Sequence, residues 1–321
     1  MNIPAPFSHY RYITPWAIFL SAVLTAALTL LHPGSDVMLW ANWGMAGLMS
    51  FIIWNFISKF NLHGDDALRT YAISWPLLTV GLQFVYCHYP HDGFFYRVLL
   101  QNLALLLVIN IMLSLWQAHN ATSQHLLLGA LIGLISSMLP HALLWLILLP
   151  IASFFMRSWS SRNILSGLTG AAIAVWLSYC ALFLFVGSES AGQMLQRYAF
   201  ILQDEDYSPL FSGLGYFQYL YLALVFLLTF FYGVSGLTLG VGQSTRSKSS
   251  IQLISTLSFV VALLLFLDVR HFFTSLSLLS LFIALQLTIH QANVKAIVHE
   301  WWIIIAIVGS MALCLLPFIV S

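Results

Sequence analysis

Blocks of Leu, Ile, Phe, Val and Ala, each long enough for a helix of about 20 residues, alternate along this chain with short polar or Pro/Gly punctuation. The pattern predicts an all-α polytopic integral membrane protein with about eleven transmembrane helices, within a range of ten to twelve. The expected spans are Tyr12 to Leu31, Val37 to Ile57, Leu68 to Val85, Tyr96 to Trp116, His125 to Leu139, His141 to Phe155, Ile164 to Val186, Leu214 to Leu237, Ile251 to Leu267, Phe272 to His290 and Glu300 to Ile319. Residues 1–321 then form a single transmembrane helical domain with no soluble domain. The run from Tyr12 to Leu31 is too long for a signal-peptide core and is expected to stay as the first span.

The fifth and sixth stretches are short and meet at Pro140-His141, where proline removes a backbone donor and disfavours a continuous helix. A broken or paired short-helix unit is expected there: two tilted spans, one kinked helix or a re-entrant hairpin. Charge placement narrows this choice. With the N-terminus cytoplasmic and the two stretches counted as a pair, Arg11, Lys59, Arg69, Arg157, Arg162, Arg246, Lys248 and Lys295 fall inside, and Arg97, Arg197 and Arg270 outside. Counting one span instead erases the bias. The expected topology therefore puts the N-terminus in the cytoplasm and the C-terminus outside, in a plasma (inner) membrane. The longest connection, the outer interfacial loop 187–213, has Ala191, Met194, Leu195, Tyr198, Ile201 and Leu202 at helical spacing and predicts a short helix lying at the boundary.

Composition agrees with the pattern: 60% of residues are hydrophobic and 7% charged, too few charges to cover a water-soluble globule. The net charge of +1 gives no footprint for nucleic acid. Cys87, Cys180 and Cys314 are scattered without CxxC spacing, so no metal site is expected from them, and no motif indicates a cofactor. The lipid bilayer is the one partner the composition requires, with lipid-linked substrates or other membrane proteins as further candidates.

Polar chemistry gathers in the outer loops. Asp36, His88, His91 and Asp92 are candidate catalytic residues: two imidazoles and two carboxylates offer acid, base or ligand roles if the first two outer loops meet. His141 at the Pro140 break, together with Asp268, Arg270 and His271 in a tight outer turn, are candidate substrate-binding residues. Asn102, Asn110 and Gln286 sit within spans and are expected to hydrogen-bond between helices, while Gly129/Gly133 and Gly236/Gly240 form GxxxG pairs suited to close helix approach. No P-loop, HExxH or GxSxG is present, and no firmly placed span has a charge at its midpoint.

The stretch from His125 to Leu182, LLLGALIGLISSMLPHALLWLILLPIASFFMRSW followed by SSRNILSGLTGAAIAVWL, resembles an uncharacterised family of bacterial multi-pass inner-membrane proteins. It is also distantly similar to the middle spans of C-type glycosyltransferases that use lipid-linked sugars. That second resemblance implies an outer-loop carboxylate acting as base or metal ligand, which falls on Asp36. The loop from His32 to Asp36 is shorter than that family's and has no second carboxylate. Three function classes follow: handling of lipid-linked or cell-envelope precursors at the outer membrane-water boundary, a small-molecule transporter or flippase, and a non-catalytic membrane assembly subunit.

Overall fold

The computed structural model describes residues 10–31, 36–60, 62, 67–88, 94–118, 121–199, 215–238, 244–267, 272–293 and 297–320, with only the backbone described at some helix ends. Among these residues the chain is all-helical. The helices are α1 (Tyr10–Leu31), α2 (Asp36–Lys59), α3 (Ala67–His88), α4 (Phe94–Ser114), α5 (Thr122–Met138), α6 (Leu148–Phe155), α7 (Ser161–Phe185), α8 (Ser188–Ala199), α9 (Tyr216–Thr238), α10 (Thr245–Leu267), α11 (Phe272–Asn293) and α12 (Ile297–Val320). A 3-10 segment, Pro140–Ile147, leads directly into α6.

Six helices, α1, α2, α4, α7, α9 and α10, are long and apolar enough to cross a membrane. Of the eleven spans expected, six are matched among the described residues by helices that meet both length and apolarity. α5, the 140–155 arm, α11 and α12 have shorter apolar stretches. α3 carries Arg69, Thr70, Ser74, Thr79 and Gln83, which lower its hydropathy.

Such a polar helix is tolerated because of where it sits. α3 and α11 lie side by side, antiparallel, at the centre; nearly every described side chain from Thr70 to Val85 and from Leu276 to Gln291 is buried. The other helices ring this pair, with α1 and α2 against α3, α9 and α10 against α11, α4 between α2 and α11, and α12 closing the ring between α9 and α1. An amide or hydroxyl that would be costly against lipid can face another helix here.

Relative helix directions follow from side-chain pairs. Gln83 donates to Thr25 at 2.5 Å, and both residues lie near the same ends of α3 and α1, so these run parallel. Asn102 donates to Ser277 at 2.8 Å, which sets α4 parallel to α11. Gln286 donates to Ser258 at 2.7 Å, as antiparallel α10 and α11 require. The expectation that Asn102 and Gln286 bridge helices holds.

The break at Pro140 reverses the chain. Leu139 adopts φ −127°, ψ 85°, leaving the helical region, and the 3-10 segment starts at the proline. The arm 140–155 then runs back along α5, so that His125 meets Ser153 through Nε2 and Oγ at 2.8 Å. Near the hairpin's base, the Gln117 amide donates to the Met156 carbonyl at 2.9 Å. Gln117 (φ 53°) and Arg157 (φ 56°) both take the left-handed conformation as α4 and α6 end. Residues 122–155 are thus a returning hairpin and not one kinked span.

α7 runs parallel to α5 and is held by small residues. A Cβ on Gly129 would lie 2.6 Å from the carbonyl carbon of Gly167, and one on Gly133 would lie 2.5 Å from the Ala171 oxygen. Both contacts are backbone to backbone, so the glycines set the helix separation. The partner of the first GxxxG is therefore α7. Gly236 makes a similar approach to Ser255 on α10, while Gly240 lies outside the described residues.

Candidate functional site

The outer-loop cluster expected to hold chemistry is only partly framed. Asp36 is the first residue of α2 and His88 the last of α3, each with a backbone placement alone. His91, Asp92, Asp268, Arg270 and His271 lie outside the described residues. No group of three or more His, Cys, Asp or Glu able to hold a metal occurs among the described residues.

His141 is placed and buried. Its ring lines a cavity of about 20 Å³ with Leu144, Trp145, Val261, Leu264, Leu265 and Leu278, room for one water and no larger substrate. The Pro140 turn therefore packs within about a turn of the end of α10, and among the described residues nothing around it makes a passage.

The interior polar groups knit helices together. Trp43 donates to Ser21 at 3.0 Å, and Trp75 donates to the Trp43 carbonyl at 3.1 Å. Phe84 stacks on Tyr221 with centroids 3.9 Å apart. Ser50, Ser74, Thr79, Thr229 and Thr288 bond back to the carbonyls four residues earlier. His125 and Ser153 are fully buried. Because His125 Nδ1 is 2.9 Å from the Ala121 carbonyl, which can only accept, that nitrogen bears the proton in the neutral ring, and Nε2 shares the single Ser153 hydroxyl hydrogen with the Leu149 carbonyl, 2.8 Å from the same oxygen. Sequence spacing gave no sign of this pair, since the two residues are 28 positions apart and meet only because the chain reverses. No substrate reaches it.

Open space lies at the rim. A lateral groove of about 540 Å³ runs between the 3-10 segment and α7, lined by Leu143, Leu146, Leu168, Ala172, Val175 and Trp176 among others, and reaches Leu195 of α8. Its volume is in the range of small-molecule sites, and among the described residues no charged side chain lines it. Trp176 stacks on Tyr179 at 5.8 Å and Tyr179 on Phe183 at 6.4 Å, forming an aromatic ladder up α7.

The groove is bounded at one end by α8. Gly129 and Gly133 pair with residues 38 positions later, which sets Met138 level with Trp176. α7 continues nine residues beyond that level, roughly 13 Å at 1.5 Å per residue. Across this step α8 folds back onto the hairpin tip, burying Ala191 and Met194 and exposing Glu189, Gln193, Gln196 and Arg197. It is the amphipathic helix expected in loop 187–213, while residues 200–214 lie outside the described residues. Tyr198 and Ser136 share a hydrogen bond at 3.1 Å. Burial pushes the Tyr198 phenol up, the Ser136 bond opposing, so the hydroxyl stays protonated at neutral pH.

A second groove, about 590 Å³ and also apolar, separates α9 from α12, with Leu227, Phe231, Tyr232, Trp302, Ile305 and Gly309 along it. Both grooves open sideways and can hold a hydrocarbon chain. Neither presents an acid–base pair.

No family model, curated protein or solved structure matches this chain.

Proposed function

We propose that this protein is a multi-pass inner-membrane protein that handles a lipid-linked or cell-envelope precursor, holding its apolar chain in the groove between the 140–155 arm and α7. The polar head is presented beside α8, at the outer boundary. The observation that supports this reading is the form of the groove: apolar along its length, open to the side, and met at one end by an amphipathic helix that brings Tyr198, Gln193, Gln196 and Arg197 to the boundary.

The eleven-span topology belongs to this proposal. Successive helices alternate in direction once the hairpin is counted as a pair. Lys59, Arg69, Arg157, Arg162, Arg246 and Lys248 all lie toward the end of the bundle where α1 begins, which by the positive-inside rule supports a cytoplasmic N-terminus and an outer C-terminus. A second reading, transport or flipping, draws on the eight-residue 3-10 run after Pro140, because 3-10 runs beyond about four residues are uncommon and mark hinges.

The test is mass spectrometry of lipids retained through mild purification from native membranes, wild type against Ala172→Trp, which fills the groove. A lipid-linked precursor enriched with wild type and lost from the variant supports the proposal. Identical bulk phospholipid from both contradicts it.

A further inference from the structure

At the end of the bundle opposite α8, three helices bring cationic and amide groups together around one ring. Lys59, on the last turn of α2, has its Nζ 5.2 Å from the centroid of Phe60. Arg246, on the first turn of α10 and 187 positions later, places its guanidinium carbon 5.8 Å from the same ring. Asn110 of α4 accepts from Lys59 Nζ at 3.1 Å, which fixes the ammonium and leaves two of its hydrogens to spare.

Phe60 is buried, while Lys59 and Arg246 are exposed, so both cations lie within 6 Å of one buried ring and reach the surface. Among the described residues neither meets a carboxylate. Two like charges drawn to one ring repel each other, and cation–π attraction at an exposed site offsets that only weakly. An anion between them would reverse the sign. Ser244 caps α10 beside Arg246, accepting from the Ser247 amide at 3.2 Å, and so holds the first turn of the helix in place.

We propose that Lys59, Arg246 and Asn110 form a binding site for the phosphate of an anionic membrane phospholipid. The site's position at the bundle end, where the apolar span of α2 stops at Lys59 and that of α10 starts at Thr245, favours a lipid headgroup over a soluble phosphate. Arg246 gives the phosphate a planar donor fork, Lys59 gives a point charge, and the Asn110 amide nitrogen supplies a neutral donor. This site is independent of the groove proposed for the precursor, and substitutions here leave that groove intact.

The experiment is native mass spectrometry of the full-length protein in neutral detergent, titrated with short-chain phosphatidylglycerol, phosphatidylcholine of the same chains, or inorganic phosphate. Two basic residues, each worth about a factor of five near a membrane surface, predict a preference for phosphatidylglycerol of roughly 30-fold. Lys59→Gln with Arg246→Gln should abolish the preference, and Lys59→Arg with Arg246→Lys should keep most of it. The second variant separates loss of the site from loss of the fold. Equal binding of the two lipids, or a preference that survives the double glutamine variant, overturns the proposal. Competition by inorganic phosphate at the same concentrations as the lipid also overturns it, since the site would then belong to a soluble anion.

Discussion

Replacing Gly129 by alanine tests how α7 is attached. The new methyl would lie 2.6 Å from the Gly167 carbonyl carbon and closer still to its oxygen, whereas ordinary contact begins near 3.4 Å. The obstructing atoms are backbone, so no rotamer change relieves them. α7 must withdraw by more than about 1 Å, and a gap of even that size forfeits up to about half of each pairwise dispersion contact across it. Its buried residues, Asn163, Gly167, Gly170, Ala171 and Ala174, all lie on this one stripe, so it has no second face to compensate. Overpacking costs about 1–3 kcal/mol, and the upper half of that range is expected here. At about 2 °C per kcal/mol for a chain of this size, the midpoint of thermal unfolding in detergent should fall by roughly 4–6 °C. Gly44→Ala is the control, because a Cβ there meets nothing within 4 Å. Measured by fluorescence-detected size exclusion after heating, a Gly129→Ala midpoint within about 1 °C of Gly44→Ala would refute the reasoning.

Three further outcomes follow from the same geometry. Ser153→Ala leaves the buried His125 Nε2 without its hydroxyl partner and should cost about 1–3 kcal/mol, while Ser153→Ala combined with His125→Leu should cost clearly less than the two singles added, in a double-mutant cycle of melting midpoints. Arg157→Val places a β-branched residue at φ 56° and removes the guanidinium from the Trp116 ring, with about 2 kcal/mol lost, whereas Arg157→Gly should fall within about 1 kcal/mol of wild type by the same assay. In a background without Cys87, Cys180 and Cys314, a cysteine at Gln196 should react with an impermeant maleimide from outside intact cells, and one at Lys248 only after permeabilisation; with the N-terminus cytoplasmic, the reverse pattern, Lys248 labelled from outside and Gln196 only after permeabilisation, would contradict the returning hairpin.

Much of the helical frame was legible because each helix is a run of apolar residues bounded by polar or Pro/Gly residues, and the described helices fall within a few residues of the expected spans. Gly129 and Gly133 announced a close contact, and Pro140 announced a break. Their consequences were not legible, because they depend on which elements meet. The partner of Gly129 is α7, two segments on and parallel, and this arrangement exists only because the chain turns back at Leu139. α3 looked like an ordinary span with excess polarity; only its central position explains why Gln83 and Ser74 are acceptable there. The lateral groove is lined, among the described residues, mostly by Leu, Ala, Val and Trp that composition marks simply as lipid-facing. An apolar site in an apolar chain has no compositional contrast to reveal it.

The most direct measurement is to place a photoactivatable amino acid at position 172, on the wall of the groove, irradiate native membranes and identify the adduct by mass spectrometry. The account predicts a dominant adduct with a lipid-linked precursor, its yield reduced when Leu195 on α8 is replaced by tryptophan. Adducts only with bulk phospholipid, in the membrane's own proportions and insensitive to that replacement, would contradict it.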